Sequence, residues 1–436
     1  MGPKEGSREQ KNIFKQIFYD GWEEFKKQYP GYEGVDEVVQ KMLGCGQIAK
    51  GYAEYLCPSC LAQKRVPFSC KSSFCLSCAK TYTSNWVETV QGMLHEGVKY
   101  RHLVLTVPEG LRVWFYRYPA EMYDGLLKIA APMMDEAVSV AKKRQLELGY
   151  IVVLQTAGRA ANYNPHLHII MTAGGLDEQE QWHELGYIAY PLLHKKWQYY
   201  LFGMVKAVLG HEPEVLGLID ELWQKYPKGL VAHLKEKAVP KVTDLARYVA
   251  KYVVSPPMAL SRLIDYDRAG GVVKYWYEDH RAGRQEVELN REQFIGRMVQ
   301  HILPKGFKRV RYYGLQATCK VKKVADLLKR TINRVVQGVL DFVVQVPVSA
   351  VVKVSYRERM KRAYKQDPLI CECCGVELWL WQVWHPEYGL IYDESEAIKA
   401  GRYDEPQTVK PTEPQEQPKQ EEQLSLFTLP SSFIYA

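Results

Sequence analysis

From about Gln10 to Leu43 apolar residues recur at helical spacing: Phe14, Ile17, Phe18, Trp22 and Phe25 share one side. A break at Tyr29-Pro30-Gly31 predicts two amphipathic helices there. Between Cys45 and Cys78 aliphatic residues are too few for a separate core, and the stretch Lys80 to Leu94 reads as helix again. Arg101 to Pro108 has the pattern of a strand ended by proline. A helix is expected over Ala120 to Glu147. Strands follow over Tyr150 to Gln155 and His166 to Met171, on either side of a Gly/Ala/Asn-rich loop. Helices come next around Pro191 to Val208 and Asp244 to Val254, then strands over Gly271 to Glu278 and Gln285 to Leu289. The chain turns helical from Glu292 to Pro304 and then strongly basic. The order β-α-β-β-α-(α)-β-β predicts the α+β class, with one sheet covered by helices on one face.

At 436 residues the chain exceeds what one hydrophobic core usually serves, so at least two folded units are expected. Its net charge of +8 is unevenly spread. From Tyr403 onward, Asp404, Glu405, Glu413, Glu416, Glu421 and Glu422 face only Lys410 and Lys419, which leaves the body at +12. A basic body suits a phosphate-rich partner. The Pro/Gln/Glu-rich tail cannot bury enough surface to order itself and is expected to be disordered. The N-terminus lacks the apolar stretch of a signal peptide, and Leu340 to Val352 is too short and too interrupted to span a bilayer. A cytoplasmic protein with no membrane partner is expected, and clustered cysteines in that compartment favour metal over disulfides.

Candidate chemistry concentrates in two places. In Asn164-Pro165-His166-Leu167-His168 the imidazoles of a strand stand two residues apart, on one face, where both can grip one ion. Imidazoles suit manganese or iron better than magnesium, though an added oxygen ligand makes magnesium workable. In Tyr248-Val249-Ala250-Lys251-Tyr252 two phenols lie four apart on one helix face, with Arg247 and Lys251 on the same helix to hold a phosphate backbone. Leu245, Tyr248, Val249, Tyr252 and Val253 also fit an ordinary core stripe. A phenol is a poor nucleophile near neutral pH unless a metal-activated phosphate or a base assists it, so the two motifs complement each other.

Cys57-Pro58-Ser59-Cys60 and Cys75-Leu76-Ser77-Cys78 are two C-x-x-C knuckles, and their spacing predicts one structural zinc site. Cys45 and Cys70 are alternates. A further knuckle, Cys371 and Cys374, has no obvious partner pair. Lys305, Lys308, Arg309 and Arg311 interleave with Phe307, Tyr312 and Tyr313, the mixture of cations and rings that single-stranded nucleic acid requires. Near the terminus Gln423, Leu424, Leu426 and Phe427 resemble the short peptide by which bacterial replication proteins dock on the sliding clamp.

These motifs resemble, in order, the two-tyrosine rolling-circle transposases of the HUH endonuclease superfamily, closest to the insertion sequence ninety-one family. The resemblance is carried by Leu105-Thr106-Val107-Pro108, His166-Leu167-His168 followed by Gly174-Gly175, and Tyr248-x-x-x-Tyr252 followed by Pro256-Pro257. It continues through Phe294-Ile295-Gly296-Arg297, His301-Ile302-Leu303-Pro304-Lys305-Gly306-Phe307 and Arg309 to Gly314. It implies an HUH-type ferredoxin/RRM-like antiparallel sheet with helices, after a helical and zinc-ribbon region and before a helical basic region and a disordered tail. It also implies a metal-dependent (Mg2+ or Mn2+) endonuclease and strand transferase. Tyr248 and Tyr252 would form 5′-phosphotyrosyl links to single-stranded hairpin ends of a mobile element in a bacterial cell, with the nucleoid as site of action. Such enzymes use a third metal ligand, for which Gln155 at a strand end is the candidate. The domains expected are 1–98 (helical and zinc-binding), 99–315 (catalytic), 316–402 (accessory, with the extra knuckle) and 403–436 (tail). Two other readings stay open: a relaxase or replication initiator at a plasmid or phage origin, and a non-catalytic zinc-ribbon DNA-binding protein.

Overall fold

A computed structural model of the chain describes residues 6–235, 256–279, 281–321, 324–328, 357–358, 361 and 367–399. The two N-terminal helices form as the periodicity predicts, α1 (Gly6–Gln28) and α2 (Asp36–Leu43). A hairpin follows, β1 (Tyr52–Leu56) and β2 (Gln63–Pro67), and then α3 (Leu76–Gln91). Next come β3 (Tyr100–Thr106), α4 (Glu109–Arg117), α5 (Pro119–Lys142), β4 (Gly149–Ala157) and β5 (Tyr163–Thr172). The single helix expected over 120–147 ends early, because Lys143 takes the left-handed conformation (φ 52°) and closes the last turn. A small hairpin, β6 (Gly174–Leu176) and β7 (Trp182–Glu184), leads to α6 (Tyr190–Leu209), α7 (Pro213–Lys225) and β8 (Ala232–Leu234). Then come β9 (Leu263–Asp267), β10 (Val272–Asp279), β11 (Gly283–Asn290), α8 (Arg291–Val299) and β12 (Val310–Gly314). Asn290 and Gln293 start α8 with a capping box, each side chain meeting the other's backbone N–H. The last described elements are β13 (Trp379–His385), β14 (Gly389–Asp393) and α9 (Glu394–Lys399).

The central sheet has the order β12-β4-β5-β3-β8, every neighbour antiparallel. Its residues alternate between two faces, as strand geometry requires. Leu103, Leu105, Leu154, Leu167, Ile169 and Met171 pack against α5 and α6 in the largest core. On the opposite face Tyr100, Ile151, Val153 and Ile170 meet Val90 of α3 and Leu94 just beyond it, together with Leu315, Val324 and Leu328. This is the mixed α+β class that the element order predicts, but helices cover both faces of the sheet and not one, because α3 packs on the face opposite α5 and α6. At the β12 edge Gly314 has φ +56°, and a Cβ there would lie 1.8 Å from the Leu148 carbonyl oxygen, so only glycine allows that approach.

One strand assignment needs correction. The pair expected over 271–278 and 285–289 does not join the central sheet but forms a separate one, β11-β10-β9. Each of these strands buries a single face, and Val273 and Tyr275 spend theirs against the aromatic stripe of α1 and Phe294, Ile295 and Met298 of α8. The N-terminal helices and residues 258–299 therefore share one core.

The cysteine grouping is corrected as well. Cys57 and Cys60 do not converge with Cys75 and Cys78: the sulfurs gather as Cys45, Cys70, Cys75 and Cys78, and separately as Cys57, Cys60, Cys371 and Cys374. The reason is the β1–β2 hairpin. Its strands of five residues extend about 17 Å at ~3.3 Å per residue, placing Cys57 and Cys60 at the turn and Cys45 and Cys70 at the base. Gly46 N–H donates to the Phe68 carbonyl (3.0 Å) and Cys70 N–H to Cys45 Sγ (3.3 Å), which closes that base. The N-terminal hairpin is in turn half of a four-stranded sheet, β14-β13-β1-β2, so segments expected in separate N-terminal and accessory domains pair strand to strand.

Candidate functional site

Three polar side chains meet on the α3-facing side of the central sheet. Register sets their approach: Gln155 of β4 and Thr106 of β3 both stand opposite His166, and Val153 and Val104 stand opposite His168. His166 Nε2 lies 3.1 Å from His168 Nε2, and Gln155 Oε1 lies 2.8 Å from the same nitrogen. His166 donates Nδ1–H to the Asn164 carbonyl (2.6 Å), so its Nε2 carries a lone pair. His168 Nδ1 is 2.8 Å from His102 Nε2, and the two rings stack within 9° of parallel.

Two proton arrangements satisfy these contacts. With the proton on His168 Nε2, that nitrogen donates to Gln155. With it on Nδ1, His102 accepts it, and His168 Nε2, His166 Nε2 and Gln155 Oε1 become three lone pairs facing one point. Separations near 3 Å match neighbouring ligands of a six-coordinate ion with bonds of ~2.1 Å. Two imidazole nitrogens and an amide oxygen are thus a donor set that fits a divalent cation such as manganese. Burial holds both His166 and His168 below the usual imidazole range; His168 is pushed further by the neighbouring His166 and His102. The site therefore offers neutral, ligating rings at physiological pH.

His102 and Arg112, which belong to none of the motifs above, and His301 of the late motif complete the surroundings. His102 shares the strand phase of Val104, which is the signal that would have found it: a histidine on the strand paired with His-x-His. Burial, and secondarily Lys235, lower its pKa to about 3. Arg112 of α4 lies close enough to His166 to depress it electrostatically, and its buried Nε has no hydrogen-bond partner. His301 is buried. It donates Nε2–H to the Ala161 carbonyl (3.0 Å) and accepts at Nδ1 from the Thr156 hydroxyl (3.1 Å), pinning the β4–β5 loop beside Gln155.

Tyr248, Tyr252, Arg247 and Lys251 lie outside the described residues. The residues flanking that segment are anchored at the site. Lys235 donates its N–H to the His102 carbonyl (2.9 Å). Pro256 and Pro257 line a cavity of about 590 Å³ together with Gln155, Thr156, Lys305 and Arg309. In the basic segment Lys305 and Lys308 are exposed, Lys305 with its ammonium 3.1 Å from Glu37. Arg311 is instead ion-paired to Asp124 of α5, the Tyr313 hydroxyl donates to the Leu127 carbonyl (3.1 Å), and Tyr312 packs beneath the sheet. These three hold β12 in place. Gln423, Leu424, Leu426 and Phe427 also lie outside the described residues. No helix among the described residues is long and apolar enough to cross a membrane.

Cys45, Cys70, Cys75 and Cys78 bring four thiols together at the junction of α2, the hairpin base and α3, with Cys45 and Cys78 sulfurs 3.4 Å apart and Cys70 and Cys78 sulfurs 3.7 Å apart. Tetrahedral thiolates at ~2.3 Å from zinc stand about 3.8 Å from one another, so this set fits a closed structural zinc site.

Residues 149–323 match the family model described as "Putative transposase", and residues 17–107 match the one described as "Transposase zinc-binding domain". The chain is 30% identical to the "Transposase for insertion sequence element IS801" of Pseudomonas savastanoi pv. phaseolicola, over 78% of this chain and 82% of that protein. It is 27% identical to the "Putative transposase y4qJ" of Sinorhizobium fredii (strain NBRC 101917 / NGR234), over 62% of this chain and 71% of that protein. No solved structure matches it.

Proposed function

Because the chain belongs to the IS91 family of transposases, we propose that it nicks and rejoins single-stranded DNA at the ends of a mobile element through 5′-phosphotyrosyl intermediates. The observation that carries this reading is the convergence of His166, His168 and Gln155, with the chain leaving the site at Lys235 and returning to it at Pro256. Tyr248 and Tyr252 stand between those two anchors in sequence, Tyr252 four residues before Pro256.

The chemistry follows from balance of bonds. A tyrosine oxygen attacks the phosphorus, the bond to the 3′ oxygen breaks, and the departing 3′ oxygen takes up a proton, leaving a 5′-phosphotyrosine. A 3′-hydroxyl attacking that phosphotyrosine reverses the step and returns the phenol. Each exchange trades one phosphodiester for another, so no nucleotide hydrolysis is needed. His166, His168 and Gln155 would hold a divalent cation, which when bound would supply Lewis-acid polarisation of the scissile phosphate. Arg112, with an unpartnered Nε beside His166, supplies a cation for the charge that gathers on the non-bridging oxygens. Lys305 and Lys308 offer the strand exposed positive charge next to the cavity.

The decisive measurement is a denaturing gel of the protein incubated with labelled single-stranded hairpin DNA and manganese. A covalent adduct is expected. It should vanish in the Tyr248→Phe, Tyr252→Phe double variant and in His166→Ala with His168→Ala; an adduct of undiminished yield in the tyrosine double variant refutes the nucleophile assignment. The acidic tail is proposed to tether the enzyme to the sliding clamp through Gln423, Leu424, Leu426 and Phe427. Capture by the clamp should then be lost in Leu426→Ala, Phe427→Ala, and unchanged capture rules the tether out.

A further inference from the structure

We propose that Cys57, Cys60, Cys371 and Cys374 bind a second structural zinc ion, which fastens the N-terminal and C-terminal parts of the chain into one ribbon. The zinc-binding family match spans residues 17–107 and so contains only half of this ligand set. Cys57 Sγ lies 3.4 Å from Cys374 Sγ, 317 positions away, and Cys60 Sγ lies 3.6 Å from Cys371 Sγ, 311 positions away. All four sulfurs fall within 4.8 Å of one another. That is the packing of thiolates around one tetrahedral zinc.

The local backbone makes the same point independently. In the first knuckle Leu61 N–H donates to the Cys57 carbonyl (3.0 Å), and Cys57 N–H donates to the Ala62 carbonyl (2.9 Å). In the second, Gly375 N–H donates to the Cys371 carbonyl (3.0 Å), and Cys371 N–H donates to the Val376 carbonyl (2.8 Å). The residue after each second cysteine is left-handed, Leu61 at φ 59° and Gly375 at φ 74°. In both knuckles backbone N–H groups bond to the first sulfur: those of Cys60 and Ser59 to Cys57, and those of Cys374 and Cys373 to Cys371. Two segments from opposite parts of the chain thus adopt one conformation and face each other. Leu61 accepts a strained backbone to do so, which non-glycine residues adopt at a cost.

Among the described residues, apolar burial at the knuckle end of the ribbon is small. The buried residues around the knuckles are Cys57, Cys371 and Leu378, with Tyr55 and Ala62 against them. A patch of that size cannot stabilise a four-stranded sheet by burial, and small ribbons depend on a metal for this reason. The ion-paired Lys64 and Glu372 (3.0 Å) add a surface contact across the same junction. Soft thiolates select zinc over magnesium or manganese. Binding converts four thiols to thiolates and releases their protons to solvent, so occupancy should strengthen as pH rises.

Zinc stoichiometry tests the proposal on the full chain. Native mass spectrometry should find two zinc ions in the parent protein. One should remain in Cys371→Ser with Cys374→Ser, one in Cys57→Ser with Cys60→Ser, and still one when all four are replaced. Two ions in Cys319→Ser and in Cys373→Ser, whose thiols lie outside both sets, are the control. Retention of two ions after removing Cys371 and Cys374 overturns the proposal, as does loss of both ions only in the quadruple variant. A second measurement avoids misfolded variants: the parent chain is stripped gradually with a chelator while exposed thiols are alkylated. Cys57, Cys60, Cys371 and Cys374 should become labelled together, as one group of four. Labelling of Cys371 and Cys374 independently of Cys57 and Cys60 refutes a shared ion.

Discussion

At His102 the protein decides where the proton on His168 resides. A ring that accepts from Nδ1 leaves the lone pair on His168 Nε2, turned toward His166 and Gln155, and a side chain unable to accept leaves the proton where it opposes a cation. Replacing His102 by leucine should therefore weaken manganese binding by about 10–100-fold, the usual effect of losing a partner that orients a metal ligand. Calorimetric titration of the full chain checks this, and the unfolding transition of the variant separates it from loss of fold. His301 makes a different prediction. Burial lowers its pKa to about 4 in the folded chain, below the ordinary imidazole value. The unfolded state thus binds more protons between those values, so stability is complete above ~6.5 and falls as pH drops toward 4, by roughly 3 kcal/mol in all. Denaturant midpoints over that range should slope less in His301→Gln than in the parent chain.

At the level of strands and helices, the central sheet was legible because its signals are local. His166-Leu167-His168 and Arg101 to Thr106 alternate, proline and glycine mark their ends, and these elements form within a few residues of the expected bounds. Gln155 was legible for the same reason, as a polar residue on the strand that pairs with His166. What was not legible was pairing over distance. A strand's pattern states that one face is buried but not against what. The 271–289 pair could therefore be assigned to the wrong sheet, and Cys371 and Cys374 could look partnerless although β13 pairs with β1. The separation of sheets has a measurable outcome. The core between the central sheet, α5 and α6 contains no cysteine among its buried residues. Stripping zinc should raise hydrogen exchange in residues 45–78 and 371–393 while residues 100–106 and 149–172 stay protected. Equal loss of protection in both regions would show that the cysteine clusters and the central sheet form one cooperative unit.

Across the whole molecule, a long chain is folded back so that its late part completes its early part. Closing so long a loop costs only slightly more entropy than closing a shorter one, since each doubling adds about 0.6 kcal/mol. In sequence, the proposed ligands His166, His168 and Gln155 and the proposed nucleophiles lie between the ribbon's two halves. The order of synthesis adds a consequence. Cys57 and Cys60 leave the ribosome long before Cys371 does, and 311 positions at ~5–20 residues per second amount to about 15–60 s. Throughout that interval the early hairpin has an unpaired edge and two waiting thiols. A message that ends prematurely yields a chain whose first module is never finished, so the completeness of the transcript is written into the stability of the N-terminus.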